Sequence, residues 1–149
     1  MFNMLLLQNS FGKVALLLAI LLPLVATAED DPTGPAPASV AGTVSIDSAK
    51  AQQLHAEGVP FIDVRPAPMY AAGRIPGAIS LPLGAAFDLN ALAKVAAPDD
   101  PVVLHCRGKD CMMGSMAARM AVEWGYSRIY YYRAGFNGWK AAGQKVEEP

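Results

Sequence analysis

This chain is short of the residues that most often give a function away. Its 149 residues contain two cysteines and two histidines. A multi-bridge disulfide scaffold is therefore excluded, and His55, His105, Cys106 and Cys111 have no spacing that makes a metal ligand set. The formal net charge is −1, with neither a basic stripe for nucleic acid nor an acidic solvating tail. No metal or cofactor is expected. One long apolar run is present, Val14 to Val25, and it lies near the start of the chain.

That run follows a single cation, Lys13, contains Pro23, and leads to Ala26-Thr27-Ala28 before Glu29. It is short for a membrane span of about 20 apolar residues and has the layout of a secretory signal cleaved after residue 28. An uncleaved membrane anchor is the alternative. Cleavage predicts a periplasmic protein with no membrane attachment. It leaves 121 residues, enough for one domain, and −1 less the charge of Lys13 gives −2. Residues 29–42, with Pro32, Pro35 and Pro37, read as an extended tether. Residues 43–149 form the domain.

From Val40 onward, short apolar runs alternate with helical stretches, the pattern of an α/β fold with a largely parallel sheet. Strands are expected at Val44–Ile46, Pro60–Val64, Ala78–Leu81, Val102–His105 and Arg128–Tyr132. Helices are expected from Asp47 or Ser48 to Glu57, then over Pro66–Ala72, Asp88–Ala96, Met112–Trp124 and Phe136–Ala142.

Both cysteines lie in Cys106-Arg107-Gly108-Lys109-Asp110-Cys111-Met112, between an apolar strand and a helix. Ligands in open α/β sheets bind beyond the carboxyl ends of strands. A thiol there faces loop amides and a helix N-terminus, which lower its pKa and favour anions. Arg107 and Lys109 add positive charge. Cys111 either resolves oxidised Cys106, closes a disulfide with it, or fills space, and a bridge requires Cα atoms within about 7 Å. His105 should point to the opposite sheet face from Cys106 and is read as a satisfied sheet histidine. His55 is read as a surface residue. Cysteine phosphatases share the strand–loop–helix arrangement but need an arginine six residues after the cysteine to grip phosphate. That position is Met112. Met112 and Met113 are read mostly as helix packing, with a soft apolar lip at the pocket mouth as the alternative.

Three segments together resemble the rhodanese-like (sulfurtransferase) family. They are Phe61-Ile62-Asp63-Val64-Arg65 leading into Gly73-Arg74-Ile75-Pro76-Gly77-Ala78-Ile79-Ser80-Leu81-Pro82, then Val102 to Cys106 with its loop, and then Gly125-Tyr126 through Ala134-Gly135-Phe136-Asn137-Gly138-Trp139. The resemblance implies one domain with a five-stranded, mostly parallel sheet flanked by helices on both faces. It implies that Cys106 is the nucleophile, taking a sulfane sulfur from a donor such as thiosulfate as a persulfide. That sulfur then passes to a thiol or cyanide-like acceptor, or to a periplasmic protein partner. The loop residues Arg107 to Met112 would bind the anionic donor, and Asp63 and Arg65 would organise the neighbouring loops.

The chain departs from the family pattern in carrying Met69 before Tyr70 and Arg74 between Gly73 and Ile75. Its segment from Cys106 to Gly125 is longer by about two residues, which predicts a wider cradle. It is similar to an exported branch with a second loop cysteine, sometimes linked to quinoprotein-dependent alcohol catabolism. A thiol redox or sensing role for Cys106 and Cys111, and a non-catalytic binding module, are the competing readings.

Overall fold

The computed structural model describes residues 35–149. The signal expected over 1–28 and the first part of the tether lie outside the described residues. Five strands, β1 (Val44–Ser45), β2 (Phe61–Asp63), β3 (Ile79–Ser80), β4 (Val102–His105) and β5 (Ile129–Tyr132), form one sheet in the order β1-β5-β4-β2-β3, and every pairing is parallel. The expected class and strand count are those observed.

Strand β4 lies at the sheet centre, and all four of its residues are buried. Each buried aliphatic side chain contributes roughly 1.5–3 kcal/mol, so Val102, Val103 and Leu104 anchor the strand firmly. The alternation of side chains divides its faces. Val102, Leu104 and Cys106 belong to one core cluster, with Ile62, Leu92, Ala117, Ala118 and Ala121. Val103 joins the other, with Leu54, Phe61, Tyr132 and Trp139.

Five helices cover the two faces: α1 (Ser48–Ala56), α2 (Ala67–Ala72), α3 (Leu89–Ala93), α4 (Met113–Glu123) and α5 (Gly135–Ala141). Aspartates start two of them. The Asp47 carboxylate accepts from the Lys50 amide at 2.8 Å, and that of Asp88 from the Ala91 amide at 2.7 Å. Each satisfies an amide that the first helical turn leaves without a partner. Helix α4 turns Gly114, Ala117, Ala118 and Ala121 to the sheet, and these small residues let it lie close beneath β4. Among the described residues, no helix is long and apolar enough to cross a membrane.

The end of the proline-rich segment is docked, which differs from a free tether. Ala36 and Val40 are buried. The Ala36 amide donates to the Lys109 carbonyl at 2.8 Å, and its carbonyl accepts from Arg133 Nε at 2.7 Å. Tyr131 Oη and Ser45 Oγ donate to the carbonyls of Pro37 and Ala38. Proline pre-extends this strap and removes amides that would need partners, so docking it costs little ordering entropy.

Candidate functional site

Cys106 and Cys111 form a disulfide across the loop, with Cα atoms 6.4 Å apart. Of the alternatives open to the pair, the structure holds the bonded one. The loop between the two cysteines is therefore a closed ring. The Cys111 amide donates to the Gly108 carbonyl at 3.1 Å, and Arg107 Nη2 lies 2.7 Å from Asp110 Oδ2. The Arg107–Asp110 pair is exposed, so solvent screens it and its energetic weight is small.

The loop is gripped through its backbone. Phe136 donates its amide to the Cys106 carbonyl at 3.0 Å and Asn137 to the Arg107 carbonyl at 2.8 Å, while the Ala36 amide holds the carbonyl of Lys109. In a trans peptide the following N–H points opposite to the carbonyl, and among the described residues no peptide is cis. The amides of Arg107, Gly108 and Asp110 thus turn away from α5 and the strap, the sense an anion nest requires.

Two glycines make the approach possible. Gly135 has φ +56, and a Cβ there would overlap the Cys106 carbonyl. A Cβ on Gly114 would sit 3.3 Å from the Cys106 amide nitrogen and 3.4 Å from its Cβ. The first turn of α4 therefore packs directly against Cys106, which is 3% exposed.

His105 lies between Phe61 and Tyr132, with ring centroids at 6.1 and 6.5 Å. It takes the face opposite Cys106, as its strand position predicts. It is not fully satisfied, which corrects the sequence reading. Nδ1 lies 3.2 Å from the Cys106 carbonyl, but Nε2 has no hydrogen-bond partner. Burial pushes its pKa below the ordinary 6.5, outweighing the opposing influence of Asp63, so the ring is held neutral. His55 also departs from expectation. It is half-buried against Phe61 and Trp139 and lies 2.7 Å from the Pro76 carbonyl.

Asp63 and Arg65 form a buried ion pair at 0% and 2% exposure. Arg65 Nε and Nη2 donate to the carboxylate at 2.6–3.0 Å, and Nη2 also donates to the Gly73 carbonyl at 2.8 Å. Its guanidinium lies 4.2 Å from the centroid of Phe136. The pair thus ties the end of β2 to the helix that grips the cysteine loop. Arg74 ion-pairs with Glu147 at 2.8 Å and faces the Tyr70 ring.

Three clefts ring the loop. One of about 320 Å³ is lined by Arg65, Arg107, Phe136, Asn137 and Lys140 among others. A second, about 500 Å³, runs along α5 past Gly108, Lys109 and Asn137. A third, about 360 Å³, continues past Lys109 to Arg133 and Ser45. Neither cysteine lines any of the three. Met112 is 4% exposed and belongs to the core rather than to a pocket lip. Among the described residues, no group of three or more His, Cys, Asp or Glu side chains could hold a metal ion.

Sequence reasoning missed Gly135, Asn137, Arg133 and Ala36 as parts of the site. Gly135 and Asn137 stand in the third motif, but their contribution is made by backbone, which side-chain chemistry does not announce.

The chain is thus an α/β protein with a cysteine at the carboxyl end of its central parallel strand, held by backbone beside a helix start. Residues 46–142 match the Rhodanese-like domain family, and the chain belongs to that family. A 90-residue stretch is 38% identical to an HTH-type transcriptional regulator of Mycobacterium tuberculosis, covering 60% of this chain and 38% of the regulator. The chain thus spans well under half of that relative's length. Among solved structures, thiosulfate sulfurtransferase from Pseudomonas aeruginosa is similar over 71% of this chain and 20% of its own, at 27% identity and TM-score 0.62. The polysulfide-sulfur transferase homodimer of Wolinella succinogenes matches over 73% and 81%, at 24% identity and TM-score 0.59, and shares the fold.

Proposed function

We propose that this protein is an exported rhodanese-type sulfurtransferase in which Cys106, once reduced, takes a sulfane sulfur from an anionic donor such as thiosulfate and passes it to a thiophilic acceptor. The observation that carries the reading is the backbone grip on the loop. Three carbonyls are held from outside, so amides and the start of α4 are left to stabilise a thiolate, then a persulfide anion, at Cys106. Arg107, Lys109 and Lys140 supply positive charge at the clefts around the loop and attract an anionic donor. A covalent persulfide divides the transfer into two easier displacements. The disulfide is the closed form, because the Cys106 electron pair that would attack a donor is committed to the bond. Export through residues 1–28 places the chain in the periplasm, where such a bond persists without reductant.

The test is turnover of thiosulfate with cyanide by the reduced protein. Activity that Cys106→Ser abolishes is the expected result, whereas full activity in that variant refutes the assignment. The disulfide itself favours a second reading, a reversible thiol redox pair without sulfur transfer. Two free thiols in protein isolated from its own compartment without reduction would eliminate it.

A further inference from the structure

The chain's two cysteines are bonded to each other, so Cys111 Sγ reaches the sulfur atom that carries the persulfide in the proposed reaction. We infer that Cys111 is a resolving cysteine that discharges the Cys106 persulfide internally, making the protein a sulfane-sulfur reductase that releases sulfide and is reopened by a dithiol. This rests on the sulfur-transfer reading above and adds a second catalytic residue and a second class of substrate.

The chemistry balances in three steps. The Cys106 thiolate attacks the sulfane sulfur of the donor. The new S–S bond forms as the donor's own bond breaks, and for thiosulfate the leaving group is sulfite. The Cys111 thiolate then attacks Cys106 Sγ. The Cys106–Cys111 bond forms, the bond to the outer sulfur breaks, and one proton is taken up as hydrosulfide leaves. The transferred sulfur is reduced by two electrons and the two thiolates are oxidised to the disulfide. Finally an external dithiol reduces that disulfide and becomes oxidised itself.

The two ends of the bond are unequal, and that sets the direction of the last step. Cys106 is 3% exposed beneath α4, while Cys111 is partly open to solvent. An incoming thiolate reaches the Cys111 sulfur, the more exposed end of the bond, and expels the Cys106 thiolate. The mixed disulfide therefore forms on Cys111. Against a monothiol, the Cys106 thiolate five residues away recloses the ring, since its effective concentration is high. A dithiol escapes this because its second thiol attacks within the same molecule.

The experiment is a single turnover. Fully reduced protein, freed of reductant, is mixed with thiosulfate and, separately, with inorganic polysulfide. Sulfide, free thiols and intact mass are then followed. Wild type should release one sulfide per chain as both thiols disappear, then stop until dithiothreitol is added. Cys111→Ser and Cys111→Ala should instead hold one extra sulfur atom on Cys106, release no sulfide, and yield the sulfur to added cyanide, which also shows that they are folded. A wild type that keeps its persulfide as stably as these variants, with Cys111 still a free thiol, overturns the inference and leaves the sulfurtransferase reading standing. No loading in either variant or wild type, from either donor, overturns both.

Discussion

Cys106 ends a fully buried central strand, with its carbonyl held by Phe136 and its Cβ against Gly114. Cys111, at the far end of the same loop, is partly exposed, and its amide closes a local turn onto Gly108. One sulfur is positioned by the whole fold and the other by four intervening residues. A thiolate that must be stabilised and aimed needs the first environment. A thiol that must move in, react and be reached by a partner needs the second. In the proposed reaction the difference separates the nucleophile from the cysteine that resolves it, and it can be attacked from either side.

The largest effect falls on chemistry. Cys106→Ser should remove sulfur loading altogether while leaving the fold intact, whereas Cys111→Ser should leave loading in place; mass spectrometry of protein incubated with thiosulfate checks both. Next comes the buried pair behind the grip. Asp63→Ala strands the Arg65 guanidinium at 2% exposure and should cost about 3–5 kcal/mol, read by urea unfolding. Gly135→Ala puts a side chain at φ +56 and onto the Cys106 carbonyl. The backbone conformation alone costs about 1–3 kcal/mol, and the slackened grip should also slow sulfur loading in stopped-flow measurements.

Much of this was legible in sequence. The alternation of apolar runs with helical stretches foretells the order of elements, because each is a local preference of the chain. The opposite facing of His105 and Cys106 follows from the two-residue repeat of a strand. The disulfide did not follow, since a bridge depends on a loop path that six residues do not dictate by themselves. Nor did the docking of Ala36, whose amide partner, the Lys109 carbonyl, is more than seventy residues away in sequence. Met112 follows its helix-packing reading rather than the pocket-lip alternative, because the helix that begins beside it turns its side chain into the core.

Two smaller effects sharpen the contrast. His105, on the clamped side, is kept neutral by burial, with a folded pKa below 6.5. The unfolded chain therefore takes up the proton first as pH falls. The His105 contribution is fully present above pH 6.5 and is lost below it, at up to about 1.4 kcal/mol per pH unit until the folded pKa is reached. His105→Phe should flatten that part of the pH–stability curve in thermal melts. Ala36→Pro removes the amide that holds the Lys109 carbonyl and should cost about 0.5–1.5 kcal/mol, measured by urea unfolding. Because the strap touches the loop between the cysteines, its loss should speed reduction by dithiothreitol.

The division of labour between the two cysteines is tested most directly by locating the sulfur. Reduced Cys111→Ser and Cys106→Ser proteins, each loaded with thiosulfate and digested without reductant, can be mapped by peptide mass spectrometry. The account predicts one added sulfur atom on the peptide bearing Cys106 in the first protein and none on Cys111 in the second. Sulfur on Cys111, or an unloaded Cys106 in the folded Cys111→Ser protein, would contradict it.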